Sequence, residues 1–158
     1  MPPLGRKTPV RKFGGLGGGP GTTDPDHDPL YYDHQSADDA IAFLQNYDKE
    51  TPFYREVGFL HPHLPLKPPI RFKEMYRENA FIQPDAWNRG FDLADFPQNY
   101  IVENFPTEDQ DWWRKSVRNY FSAYSHMDYH LGRLWDALMA SVHADNTLVV
   151  LFASRSKT

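Results

Sequence analysis

A long segment in which apolar residues recur every three or four positions, roughly residues 108–141, constrains the fold most strongly. This spacing places apolar side chains on one face of an α-helix, so we predict a helix over the whole segment. Thr107 followed by Gln110 has the form of a capping box, which marks a helix start. The apolar positions are Trp113, Val117, Tyr120, Phe121, Tyr124, Met127, Leu131, Leu134, Trp135 and Leu138.

A continuous β-branched and apolar run, Thr147–Phe152, follows the predicted helix after a turn at Asp145 and Asn146. Such a run is typical of a strand that is buried on both faces of a parallel sheet. A helix that leads into a buried strand indicates an α/β unit. We therefore predict an α/β fold with one long helix and a mostly parallel sheet.

A shorter helix and another strand are predicted in the first half of the chain. Ser36 to Asp39 reads as a second capping box, and apolar residues then recur at helical spacing, so we predict a helix over 37–47. Phe53–Phe59 is a candidate strand, and residues 71–76 are predicted to form a helical turn.

Glycine and proline divide the chain into two regions. Residues 1–32 are predicted to be a disordered Gly/Pro-rich tail, because their glycine run follows no strand and resembles a flexible linker more than a phosphate-binding loop. Residues 33–158 are predicted to form the α/β domain. Within it, residues 60–106 read as a largely irregular, aromatic-rich excursion that begins with four closely spaced prolines.

Composition excludes several classes of site. The 158 residues contain no cysteine, so disulfides, thiolate metal sites and a cysteine nucleophile are excluded. The net charge of −4 is mild, and we predict neither a nucleic-acid partner nor, from the lengths of the apolar runs, a membrane span. No secretory signal is readable at the start of the sequence.

Two histidines stand one residue apart in the segment Gly58–Pro65. In an extended chain, residues two apart face the same way, so His61 and His63 could approach one metal ion or one anion. A metal site needs three or four ligands, however, and this pair supplies two. A transition-metal site at His61 and His63 therefore stays open as a hypothesis.

A second pair, His126 and His130, lies at i and i+4 on the predicted long helix, where one face could present both rings to a metal. Tyrosines surround them, and we interpret them as surface or boundary histidines. No Gly-x-Ser-x-Gly elbow or helical pair of carboxylates accompanies them, so the residues alone supply no complete catalytic constellation.

Several segments, taken in order, resemble the middle of a sulfatase, most closely the iduronate sulfatase branch. They cover about residues 33–154 and are Pro52–Phe59, the His61-Pro62-His63-Leu64-Pro65 loop, Tyr120–Tyr124, Met127–Leu134 and Asn146–Phe152. The resemblance implies an alkaline-phosphatase-like α/β fold and hydrolysis of sulfate esters, as in glycosaminoglycan degradation. It also implies a formylglycine nucleophile made from a Cys or Ser, a bound calcium ion and a lysosomal or secreted location.

One residue inherits a role from this resemblance. His63 matches the family histidine that lines the sulfate pocket, so it is expected to bind substrate and to act in catalysis as a hydrogen-bond donor. His61 matches a variable position and inherits no role. The Cys/Ser-x-Pro-x-Arg motif is absent, and Arg155 follows Ser154 where the family has a calcium-binding aspartate. We therefore expect no metal ligands in this chain, and a sulfatase fragment that is inactive alone.

A rival hypothesis comes from a different functional class. The aromatic-rich residues 72–105 could hold a sulfated sugar or a protein partner without catalysis. Binding without hydrolysis would then be the whole function of the chain.

Overall fold

The structure is a computed structural model that describes residues 21–63, 65–82 and 110–153. Three α-helices are present in these residues: α1 (Tyr32–Asn46), α2 (Ile70–Glu74) and α3 (Gln110–Met139). Short 3-10 helices lie at Pro25–Leu30, Glu78–Ala80 and Ala144–Asn146. Both α1 and α2 pack against α3, which is the central element of the described part.

The predicted long helix and the predicted helical turn near residue 71 are confirmed by α3 and α2. The capping residue Thr107 lies outside the described residues. Arg118 on α3 donates from Nε and Nη2 to the carbonyl oxygen of Lys73, at 3.1 and 3.0 Å, and so ties the end of α2 to α3. No helix in the described ranges is both long and apolar enough to cross a bilayer.

Helix α1 begins earlier than the capping box at Ser36 predicts. Its N-cap is Tyr31, and Ser36 is a buried residue inside the helix. The physical reason lies upstream, where the carboxylate of Asp24 accepts a hydrogen bond from the Asp26 N–H and caps the 3-10 helix that leads into α1. A helix continued from an ordered turn needs no new cap at Ser36.

The last part of the predicted tail is ordered, which corrects the expectation for residues 21–32. The Ile70 N–H donates to the Thr22 carbonyl at 2.8 Å, and Arg71 pairs with Asp28 at 2.6 Å. Tyr31, which follows, is completely buried. Residues 1–20 lie outside the described residues, and the division of the chain into a tail and a domain stays a prediction.

The predicted sheet is not confirmed. Phe53–Phe59 and Thr147–Phe152 carry neither helix nor strand, and the second run is largely exposed. A strand exists only when a neighbour pairs with its backbone groups, and no other described segment does so for either run. The described residues thus form helices and no β-sheet.

Gly21 provides a test of how residues 21–30 pack against the segment around Pro68. Its φ is +75°, and a Cβ there would overlap the carbonyl oxygen of Pro68. We expect Gly21→Ala to lower the free energy of unfolding by at least about 2 kcal/mol, from left-handed strain plus the overlap. Urea unfolding monitored by circular dichroism measures it.

Gly132 is the matched control for that variant. It lies well within α3, away from both helix ends, and is solvent-exposed. A Cβ added there would have no other atom within 4 Å. Gly132→Ala should therefore raise the free energy of unfolding by about 0.5–1 kcal/mol, because alanine loses less backbone entropy in a helix. Equal effects of the two substitutions would contradict the packing of Gly21 on Pro68.

Candidate functional site

The start of the His61–His63 loop is held by one buried carboxylate, that of Asp33 in the first turn of α1. Its Oδ1 accepts a hydrogen bond from the Leu60 N–H at 2.5 Å. Its Oδ2 lies 2.7 Å from the His61 ring Nδ1 and accepts the His61 backbone N–H at 3.3 Å. Asp33 is only 1% exposed. The carboxylate therefore fixes both the backbone and the ring at the start of the loop.

A row of imidazole rings continues from this carboxylate along α3. The Nδ1 of His126 lies 2.9 Å from the Nδ1 of His61 and 3.5 Å from Asp33 Oδ2. Its Nε2 lies 3.1 Å from the Nε2 of His130, whose Nδ1 lies 3.1 Å from Arg133 Nη1. Polar contacts thus run without a break from the interior to a partly exposed arginine.

The interpretation of His126 and His130 as surface or boundary residues is wrong. Both rings are completely buried. The ring of His126 lies edge-on to Tyr31 and to Phe72, with centroids 5.1 and 5.2 Å apart. Both histidines occupy the face of α3 that carries Ala123, so helical spacing from that alanine is the sequence signal that could have placed them inside.

Asp33 was not identified from the sequence at all. It lies 28 positions before His61, and no local motif links the two residues. An acid in the first turn of a helix ordinarily reads as a favourable partner of the helix dipole at the surface. Only the packing of α1 against the loop turns this acid inward.

Electrostatics favour an ionised Asp33 and lower the pKa values of His126 and His130. Burial alone raises the pKa of Asp33, but hydrogen bonds from His126, His61 and the Leu60 N–H outweigh it and hold the pKa well below its usual range. Burial lowers the pKa of His126, with Asp33 opposing. Burial, with smaller contributions from the neighbouring His126, His34 and Arg133, lowers the pKa of His130 to about 3.

His61 and His63 do not face the same way, so that prediction is wrong. His61 is buried, whereas His63 is exposed. The His63 N–H donates to the Leu60 carbonyl at 2.8 Å, which closes a turn around the cis peptide bond between His61 and Pro62. A turn does not keep the alternation of an extended strand, and the two rings therefore diverge.

The calcium ion that the resemblance implies does not fit the described residues. Among them, the one group of three or more His, Asp or Glu side chains close enough to share a metal is Asp33, His61 and His126. Calcium takes six to eight oxygen ligands, whereas this group offers two imidazole nitrogens and a carboxylate. Ser154 and Arg155, where the expected calcium aspartate is missing, lie outside the described residues.

Asp33→Asn tests the role of the buried carboxylate. Three donors converge on Asp33, from Leu60 N–H and from the backbone and ring of His61, and an asparagine would turn an N–H₂ group toward at least one of them. We expect the free energy of unfolding to fall by about 3 kcal/mol, measured by urea denaturation.

Asp38→Asn on the same helix is the control. Its carboxylate accepts from Arg133 and contacts His34, but the side chain is 49% exposed. Because water screens these contacts, the loss should stay below about 1 kcal/mol. A loss at Asp38 as large as that at Asp33 would refute the special role of the buried carboxylate.

The comparisons with known proteins agree on one family. A family model of sulfatases matches residues 6–154. A sulfatase of Formosa agariphila is 32% identical over 138 residues, which is 82% of this chain and 26% of that protein. Human iduronate 2-sulfatase is 29% identical over 137 residues, which is 77% of this chain and 25% of that protein. An arylsulfatase of Clostridium perfringens is 27% identical over 125 residues, which is 73% of this chain and 24% of that protein.

The chain spans about a quarter of the length of these curated relatives. No solved structure is significantly similar to it. Family membership implies the alkaline-phosphatase-like α/β fold that the sequence predicts, with the sheet unconfirmed in the described residues. The resemblance read from the histidine loop and the long helix is confirmed, since a family model that matches residues 6–154 shows that this chain belongs to the sulfatase family.

Proposed function

We propose that this chain forms part of a site that hydrolyses sulfate esters and that it contributes His63 to that site. Two observations support the proposal: membership of the sulfatase family, and relatives that are named as iduronate 2-sulfatase, arylsulfatase and choline-sulfatase. The substrate class proposed for this chain is therefore a sulfate ester, and the alcohol that carries the sulfate is left open.

The role proposed for His63 is supported by the way in which its loop is anchored. Asp33 holds Leu60 and His61 in the interior, and the turn that follows leaves His63 exposed. An exposed ring on a rigidly held turn can meet a substrate at little entropic cost. Its N–H can donate to a sulfate oxygen or to the leaving oxygen, where negative charge develops during cleavage.

We further propose that the 158-residue chain has no sulfatase activity by itself. The covalent route requires a nucleophile, and the sequence contains no cysteine and no Ser-x-Pro-x-Arg motif from which formylglycine could be made. His63 can stabilise charge on a leaving oxygen but cannot replace the attacking group. The chain therefore supplies one part of the chemistry.

The first test is turnover. The purified chain, incubated with an aryl sulfate in the presence and absence of calcium, should release no more phenol than buffer does, because the nucleophile is missing. Release of the phenol is followed by absorbance. Turnover that disappears in His63→Ala would show that the chain is active by itself and that the proposal of inactivity is mistaken.

A second test concerns the anion that His63 faces. Titration of the chain with inorganic sulfate, followed by NMR of the histidine rings, should shift the His63 resonances, because an imidazole N–H would donate to the anion. His27 is the control, since its side chain is 49% exposed and no role in sulfate binding is proposed for it. Equal shifts at both rings would indicate non-specific binding and contradict the proposal.

The rival binding-module hypothesis has a separate readout. Its aromatic segment, residues 72–105, lies mostly outside the described residues and stays a prediction. Calorimetric titration with a sulfated oligosaccharide would favour that hypothesis if the sugar binds and His63→Ala leaves the affinity unchanged.

A further inference from the structure

Three potential metal-ligand atoms converge in the interior, away from the exposed His63. They are Asp33 Oδ2, His61 Nδ1 and His126 Nδ1, separated by 2.7, 2.9 and 3.5 Å. The three side chains are between 0 and 2% exposed. In a four-coordinate site with metal–ligand bonds of about 2.1 Å, ligand atoms lie roughly 3.4 Å apart. Small outward shifts of the two rings would therefore make room for an ion.

Without a metal ion, two imidazole hydrogens of this cluster compete for one acceptor atom. Arg133 can only donate, so His130 Nδ1 accepts, and the hydrogen of a neutral His130 lies on Nε2 and points at His126 Nε2. The hydrogen of His126 is thereby placed on Nδ1. Because a carboxylate only accepts, the 2.7 Å contact with Asp33 likewise requires a hydrogen on His61 Nδ1. Both N–H groups then compete for Asp33 Oδ2, which lies 2.7 Å from His61 Nδ1 but 3.5 Å from His126 Nδ1, and the two donor nitrogens lie only 2.9 Å apart.

We propose that Asp33, His61 and His126 bind one transition-metal ion of the zinc type through Asp33 Oδ2 and the two Nδ1 atoms. The ion takes the place of both Nδ1 hydrogens, since each imidazole then carries its hydrogen on Nε2 and presents the Nδ1 lone pair. His126 then carries its hydrogen on Nε2 and donates it to His130, which gives the ligand a second-shell partner. The backbone N–H groups of Leu60 and His61 remain on the carboxylate and orient it.

Metal binding moves the contact between two donors from the His61–His126 pair to the His130–Arg133 pair, where one partner is partly exposed. His130 now carries its hydrogen on Nδ1, opposite Arg133. The Arg133 side chain is 30% exposed and already donates to Asp38 at 2.5 Å, so it can turn its other N–H groups to water. His61 Nε2 has no hydrogen-bond partner among the described residues, and this holds in either state.

The donor set selects the class of metal. Two imidazole nitrogens and one carboxylate suit zinc, cobalt or iron, and three protein ligands are what a site with an open coordination position needs. Calcium and magnesium prefer oxygen ligands and are excluded by the same reasoning. The site does not involve His63, and its test uses no turnover, so it stands or falls separately from the proposed sulfatase chemistry.

The experiment is a cobalt titration of the full 158-residue chain after treatment with a chelator. We expect one equivalent of Co²⁺ to bind with the visible absorption of a four-coordinate ion, and Zn²⁺ to displace it. His126→Gln should weaken binding by more than about 100-fold, because loss of a mere second-shell partner already costs about 10–100-fold. His63→Gln, an exposed histidine two residues from His61, is the matched control and should bind as the unchanged chain does.

Three results would overturn the proposal. They are no binding of Co²⁺ or Zn²⁺ by the folded chain, unchanged affinity in a folded His126→Gln variant, and loss of binding in His63→Gln. Circular dichroism shows whether each variant folds. If His126→Gln does not fold, X-ray absorption of the zinc-loaded unchanged chain decides. Two imidazoles and one carboxylate around the ion would support the site, and oxygen ligands alone would refute it.

Discussion

The carboxylate of Asp33 is the interaction on which the arrangement of the described residues depends. It joins the first turn of α1 to the backbone of Leu60 and to the ring of His61, and it approaches His126 on α3. A buried charge costs several kcal/mol unless donors surround it, so the three segments must keep their relative positions for the carboxylate to remain satisfied. The direction of the loop toward His63 follows from this anchor.

Helix α3 contacts its neighbours through an unusually polar face. Ser122, His126 and His130 are completely buried on it, together with Ala123. Large aromatic residues of the predicted apolar stripe, among them Tyr120, Phe121, Tyr124 and Trp135, are instead 42 to 49% exposed. Specific hydrogen bonds therefore contribute much of the order at the α1–α3 contact, and such contacts are directional where apolar packing is not.

The two histidines of the loop lie in different environments, because the turn between them leaves one buried and the other exposed. His61 faces a carboxylate and another imidazole in the interior, where a cation is favoured. His63 is exposed, and the proposed function assigns it to the sulfate of a substrate. Proximity in the sequence thus suggests one site, whereas the fold makes an internal cluster and a separate surface group. Both use the same anchor, since Asp33 fixes the residues that precede the turn.

Local patterns in the sequence determined the elements that depend on local forces. The spacing of apolar residues predicts α3, and the loop and helix motifs identify the sulfatase family before any coordinates are considered. The start of α1 and the order of residues 21–32 were missed, because they depend on Asp24 and on contacts with residues near Ile70. The Asp33–His61–His126 cluster was also missed, since its members lie 28 and 65 positions apart. Only tertiary packing brings such distant polar groups together, and burial then decides which of them are charged.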